Sequence, residues 1–179
     1  MNAAARVAVA SRSTEPSAVT ALRERLDEMM RLVLTLPAEA YCARPSRVSG
    51  SIGAHVRHVL DHVSSLVAAN PLSVLSYDHR RRGTAVETRP GDAVREMMRL
   101  DAALERWGGR VLEDPVAVAA ITSTEGRSVT GWSTLARELA FVMHHTIYHQ
   151  AIVALLLERL GAELPDYRFG YAPSTPQRA

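Results

Sequence analysis

Apolar residues recur at three- and four-residue steps over four separate stretches of the chain. From Ser17 to Leu36 they are Val19, Leu22, Leu26, Met29, Met30, Val33 and Leu36, one stripe of an amphipathic helix that Pro37 stops. After the connection PAEAYCARPSRVSG, Ser49 or Ser51 is placed to cap a second helix that runs to about Ala69 and ends at Asn70-Pro71. Residues 72–90 are polar and irregular; Asp92 then opens a third helix through about Trp107, closed by Gly108-Gly109. Between Arg110 and Thr130 the runs VAVAAIT and EGRSVT predict a short hairpin around Gly126. Ser133 caps the longest helix, Thr134 to about Leu160, with Gly161 as its stop and Pro165 beyond.

Four such helices without a set of alternating strands predict an all-α fold, an up-and-down four-helix bundle with a short hairpin between helices three and four. At 179 residues the chain is long enough for one domain with its own core. The expected organisation is a flexible lead over residues 1–16, a bundle domain over 17–164 and a tail over 165–179 that drapes on the surface. Trp107 and Trp132, flanking helix ends, are expected to pack.

Composition narrows the function. With 47% hydrophobic residues and a net charge of +2, the chain is neither a disordered polyampholyte nor a strongly basic nucleic-acid binder. All 21 basic residues are arginine, which is read as codon usage rather than selection for anions. The single Cys42 cannot form an internal disulfide, and the first residues do not read as a basic-led apolar segment with a small-residue cleavage site, so the expected location is a reducing cytoplasm. The most apolar stretch, Phe141 to Leu157, is broken by three histidines and a glutamine and falls short of the ~20 apolar residues a bilayer requires, so no membrane partner is expected. Bundles of this size often pair through an apolar face, and a homodimer is expected.

The candidate chemistry lies in the histidines. Six of the seven fall in SIGAHVRHVLDH (residues 51–62) and HHTIYH (residues 144–149). At ~100° per residue, His55, His58 and His62 form one column of imidazoles within about 60°, beside the apolar stripe of the second helix. His145 and His149 are four apart, so their rings reach one ion from adjacent turns, whereas His144 points about 100° away. A single histidine on an apolar face is ordinarily a hydrogen-bonded core or rim residue. Two stacked clusters on helices able to face each other point instead to a divalent metal, with positions left open for water or substrate.

These two motifs resemble those of the DinB/YfiT-like superfamily. In its second helix a Ser-Val/Ile-Gly start is followed by a histidine seven residues after the serine and then by an acid, here Ser51, Ile52, His58 and Asp61. HHTIYHQA is similar to its last-helix His-x-x-x-His, here His145 and His149. The resemblance implies a four-helix bundle and a divalent ion (Zn, Ni or Fe) on His58, His145 and His149; His55 and His62, which share the helical column with His58, are secondary candidates. It also implies chemistry on a small molecule, by hydrolysis or by transfer dependent on a low-molecular-weight thiol. SYDHRRRGTAVET resembles a Tyr-Asp-x-Arg-x-Arg segment of some members, and the role of residues Tyr77 to Arg82 is open.

Around that ion, Asp61 and Glu138 are candidates to orient an imidazole or act as general base, though both read first as solvated helix charges. Tyr148 is a candidate donor to substrate, and Arg80 and Arg82 are candidates to bind an anionic one. The expected function is a metal-dependent enzyme of the DinB type with a three-histidine site. The alternative is a non-catalytic metal- or ligand-binding bundle, linked to stress.

Overall fold

A computed structural model of the chain describes residues 17–45, 50–70, 72–78, 83–109 and 112–176. Four long helices dominate: α1 (Ala18–Thr35), α3 (Ile52–Val67), α5 (Pro90–Glu105) and α6 (Leu135–Arg159), with the short helices α2 (Ala38–Cys42) and α4 (Ala85–Thr88) in the connections on either side of α3. Local chemistry sets their starts. The hydroxyls of Ser17, Ser51 and Thr134 accept from backbone N–H groups of the first turns of α1, α3 and α6, and Pro90 opens α5 at a position whose N–H would go unused. Thr134 rather than Ser133 is the cap of α6.

α1 packs against α5 and α6, and α3 packs against the same two helices. Their apolar stripes make one core, from Leu22, Leu26 and Met29 of α1 through Val56, Val59 and Val63 of α3 to Met97 and Leu100 of α5 and Leu139 and Val142 of α6. α6 is long and apolar enough by length and composition to cross a membrane. It is instead a core helix: eleven of its residues are buried, and it carries polar Glu138, Thr146, His149 and Gln150 among them.

The molecule is mostly helical but is not all-α. β1 (Val74–Ser76), β2 (Pro115–Ile121) and β3 (Ser128–Thr134) form a three-stranded sheet in the order β1-β2-β3. The expected hairpin is β2–β3, antiparallel, with Ala117 opposite Trp132. The strand β1, from the stretch expected to be irregular, was not foreseen; it pairs parallel to β2, with Leu75 opposite Val118. Three residues with one buried side chain carry too short a pattern to register as a strand.

Two further expectations are corrected. Trp107 packs into the core, but Trp132 is 80% exposed on the outer strand β3. The segment past residue 165 does more than drape: Phe169 is buried in the core cluster, and Gly170, with φ +82°, lies so close to α6 that a Cβ there would stand 2.6 Å from the Ala151 nitrogen. The lead over residues 1–16 lies outside the described residues.

Candidate metal centre

Capping at Ser51 fixes the phase of α3 and so the direction of its histidines. With Ile52, Val56, Val59 and Val63 turned into the core, His55, His58 and His62 emerge on successive turns beside them, toward α6. The expected rim placement holds for His55 and His58, which are half-buried, whereas His62 is only 5% exposed. On α6, His145 is half-buried, His149 is buried and His144 is exposed.

The imidazoles of the two helices meet. Nε2 of His58 and Nε2 of His145 are 3.0 Å apart. Two imidazoles on one ion at about 2.1 Å hold their donor nitrogens about 3.0 Å apart at 90° and about 3.4 Å at the tetrahedral angle, so this pair, at hydrogen-bond distance, is also compatible with two ligands of one metal. The donor nitrogens of His58, His62 and His145 all lie within 4.8 Å of one another. The His149 ring closes on the same pair, its centroid 4.5 Å from that of His58 and 4.6 Å from that of His145, steeply inclined to both. Ligand rings of one ion at about 90–109° have centroids about 4.6–5.3 Å apart, and the 5.0 Å between His58 and His145 falls in that range. The donor set fits a divalent transition metal, for which neutral imidazole is a natural ligand.

Three further ring nitrogens, one each on His62, His55 and His149, have partners. Nδ1 of His62 lies 2.9 Å from the His58 carbonyl oxygen; a carbonyl only accepts, so the proton sits on Nδ1 and the lone pair on Nε2. Nδ1 of His55 and Nδ1 of His149 are 2.9 Å apart and share a hydrogen bond. A ligating histidine commonly donates its second N–H to an orienting acceptor, and the carbonyl and His55 stand in such positions.

One wall of the cluster is aromatic. The Tyr77 ring lies parallel to His62, 5.1 Å between centroids, and Phe141 stacks on His145 at 5.7 Å. The Tyr77 hydroxyl donates to Glu138 Oε2 at 3.0 Å, and Ser133 donates to Glu138 Oε1 at 2.6 Å. Burial, and next the neighbouring Glu138 charge, push the Tyr77 phenol well above the usual tyrosine range, so it remains a donor. Glu138 thereby joins the first turn of α6 to the ends of β1 and β3.

Of the residues singled out in the sequence, His58 and His145 come together with His62, a secondary candidate, as the group whose donor nitrogens converge, and the rings of His149 and His55 lie beside them. Glu138, read first as solvated, is instead 7% exposed and held by two hydroxyls. Asp61 forms an ion pair with Arg57 at 2.6 Å, and Arg57 in turn reaches Glu87 at 3.1 Å. Tyr148 is 61% exposed, its ring edge-on to His149 at 5.1 Å. Arg80 and Arg82 lie outside the described residues. Sequence reasoning missed Tyr77 and Ser133; the one signal for Tyr77 was its place in the segment resembling Tyr-Asp-x-Arg-x-Arg. Asp78, its neighbour there, accepts from the Ile121 N–H at 2.7 Å and pins that segment to β2.

No curated protein and no solved structure matches the chain. A model of the DinB family matches residues 18–178, nearly the whole sequence, from the start of α1 through the segment that docks Phe169. The chain belongs to the DinB family.

Proposed function

We propose that the protein is a divalent-metal-dependent enzyme acting on a small molecule, by hydrolysis or by transfer dependent on a low-molecular-weight thiol, with His58, His145 and His149 as ligands of Zn, Ni or Fe. The observation that carries this reading is the 3.0 Å approach of His58 Nε2 to His145 Nε2 with the His149 ring against both. A bound ion of this kind supplies Lewis acidity and lowers the pKa of a coordinated water or thiol. The chain's own residues support that chemistry by placement. His55 orients His149 through the Nδ1 pair, and Tyr77 and Phe141 give the cluster an apolar flank that strengthens electrostatic interactions within it. The half-burial of His58 and His145 leaves the centre reachable from solvent.

One observation favours a second reading, a bundle that binds metal without turnover. The two carboxylates considered as general bases already hold partners, Asp61 an ion pair with Arg57 and Glu138 hydrogen bonds from Tyr77 and Ser133. In either case we place the protein in a reducing cytoplasm, as a homodimer without nucleic-acid or membrane partners. Elemental analysis of the purified protein tests the shared premise, with about one divalent ion per chain expected and none counting against both readings. Assays of the metal-loaded protein for ester, amide and thiol-transfer substrates then separate them: turnover abolished by chelator supports the enzyme, and its absence across the panel supports the binding protein.

A further inference from the structure

Resting on the homodimer reading, we propose that the outer edge of β3 pairs antiparallel with β3 of a second copy of the chain, joining the two sheets into one. Among the described residues β3 is paired on one side only, by β2. The ladder shows which backbone groups are left over. At one end the Thr122 N–H donates to the Arg127 carbonyl at 2.8 Å, and at the other the Leu135 N–H donates to the Asp114 carbonyl at 3.2 Å. Between them the register runs without a bulge from Ile121–Ser128 to Pro115–Thr134, so the hydrogen-bonded positions of β3 are Val129, Gly131 and Ser133. The N–H and C=O groups of Ser128, Thr130 and Trp132 point away from β2, toward the outer edge.

Such an edge is ordinarily blunted by charge, proline, a bulge or shortness. The opposite edge, β1, is only three residues long. β3 has seven, SVTGWST, without any of these devices, and residues 128–132 are exposed, Val129 at 57% and Trp132 at 80%. Neither β2 nor β3 holds a charged residue, in a chain of which 22% is charged. The outer face continues the pattern, since Val74, Ala117 and Trp132 form one apolar row that ends at this edge.

A second copy is the occupant that fits. Antiparallel pairing of identical strands is two-fold symmetric, so each outward group of one β3 meets a counterpart on the other. The uncharged strands meet without like-charge repulsion, and their ends complement each other. The hairpin tip of one copy carries exposed Glu125 and Arg127, and it comes to the end of the other copy's strand where Arg137 and Glu113 are exposed. The line of contact, about 24 Å long, is smaller than a standard interface of roughly 800 Å² per partner. The dimer it makes dissociates in the micromolar range.

Sedimentation equilibrium of the wild type, Thr130→Pro and Thr130→Lys, over concentrations reaching hundreds of micromolar, tests the proposal. Proline removes an outward N–H that β2 does not use, one on each side of the two-fold, and lysine sets like charges across the joint with the backbone intact. Dimerisation weaker by about tenfold or more is expected in each variant that keeps the wild-type circular dichroism. Hydrogen exchange of the wild type locates the joint without any substitution: the amides of Ser128, Thr130 and Trp132 should slow as the protein is concentrated. A dimeric wild type whose three amides exchange freely, or a folded variant that dimerises as tightly, overturns the assignment of this edge and leaves the homodimer standing. A wild type that stays monomeric throughout, with the edge held by another segment of its own chain or kept for a different protein, overturns the homodimer reading itself.

Discussion

His149 and His144 sit five residues apart on one helix, yet one is buried against His58 and the other is exposed. Replacing His58 or His149 by alanine is expected to remove the bound divalent ion, whereas His144→Ala retains it, as measured by elemental analysis of each purified variant. His55→Ala keeps the ion with affinity reduced by about 10–100-fold, because it removes only the orienting partner of His149. A second prediction concerns Tyr41, fully buried, whose hydroxyl donates to the Val86 carbonyl at 2.7 Å. Burial pushes its phenol well above the ordinary value of 10.0, so the folded state holds that proton more tightly than the unfolded chain does. The contribution is fully present below about pH 10 and is lost as pH rises from there toward the raised folded value. In urea titrations the decline of stability above about pH 10 should be shallower for Tyr41→Phe than for wild type; an identical slope would contradict the assignment. The histidine pairs were legible because helical spacing is a local rule. The Tyr77–Glu138 bond was not, since it joins positions 61 apart through strands whose pairing no spacing reveals.

At the scale of elements, α3 is placed by what it leaves out. Gly53, in its first turn, lies against the Glu87 backbone carbonyl of α4 and the Tyr41 ring of α2, where an added Cβ would stand 2.5 Å from Tyr41 Cε1 and closer still to the carbonyl. Gly53→Ala must push α3 outward, costing about 1–3 kcal/mol or more by overpacking and displacing the histidine column with it. Reduced stability in urea together with weaker metal binding is the expected result, and wild-type values for both would show that the contact relaxes freely. The long helices could be read because their stripes repeat over four or more turns, and the observed ends fall within two residues or so of those expected. The sheet was read only in half. β2 and β3 are adjacent in sequence and joined by a turn, but β1 reaches β2 across more than thirty residues that include α4 and α5. Trp132 shows the same boundary: flanking a helix marked it as a packing residue, yet its place on an outer strand of a small sheet leaves it exposed.

For the whole molecule, the centre is a link between distant parts of one chain. His58 and His145 are separated by 87 positions and His55 and His149 by 94, and their meeting requires α3 and α6 to be packed already. An ion that binds only the assembled pair stabilises the fold by mass action, so the melting temperature should rise with added metal and fall on chelation. The same separation bears on time. Closing so long a loop comes late on the way to the native state, after the helices have formed and condensed. Saturating metal should therefore slow the unfolding limb of a stopped-flow denaturant series while leaving the refolding limb where it was, so that the ion acts as a latch on the finished protein and has no part in guiding its assembly.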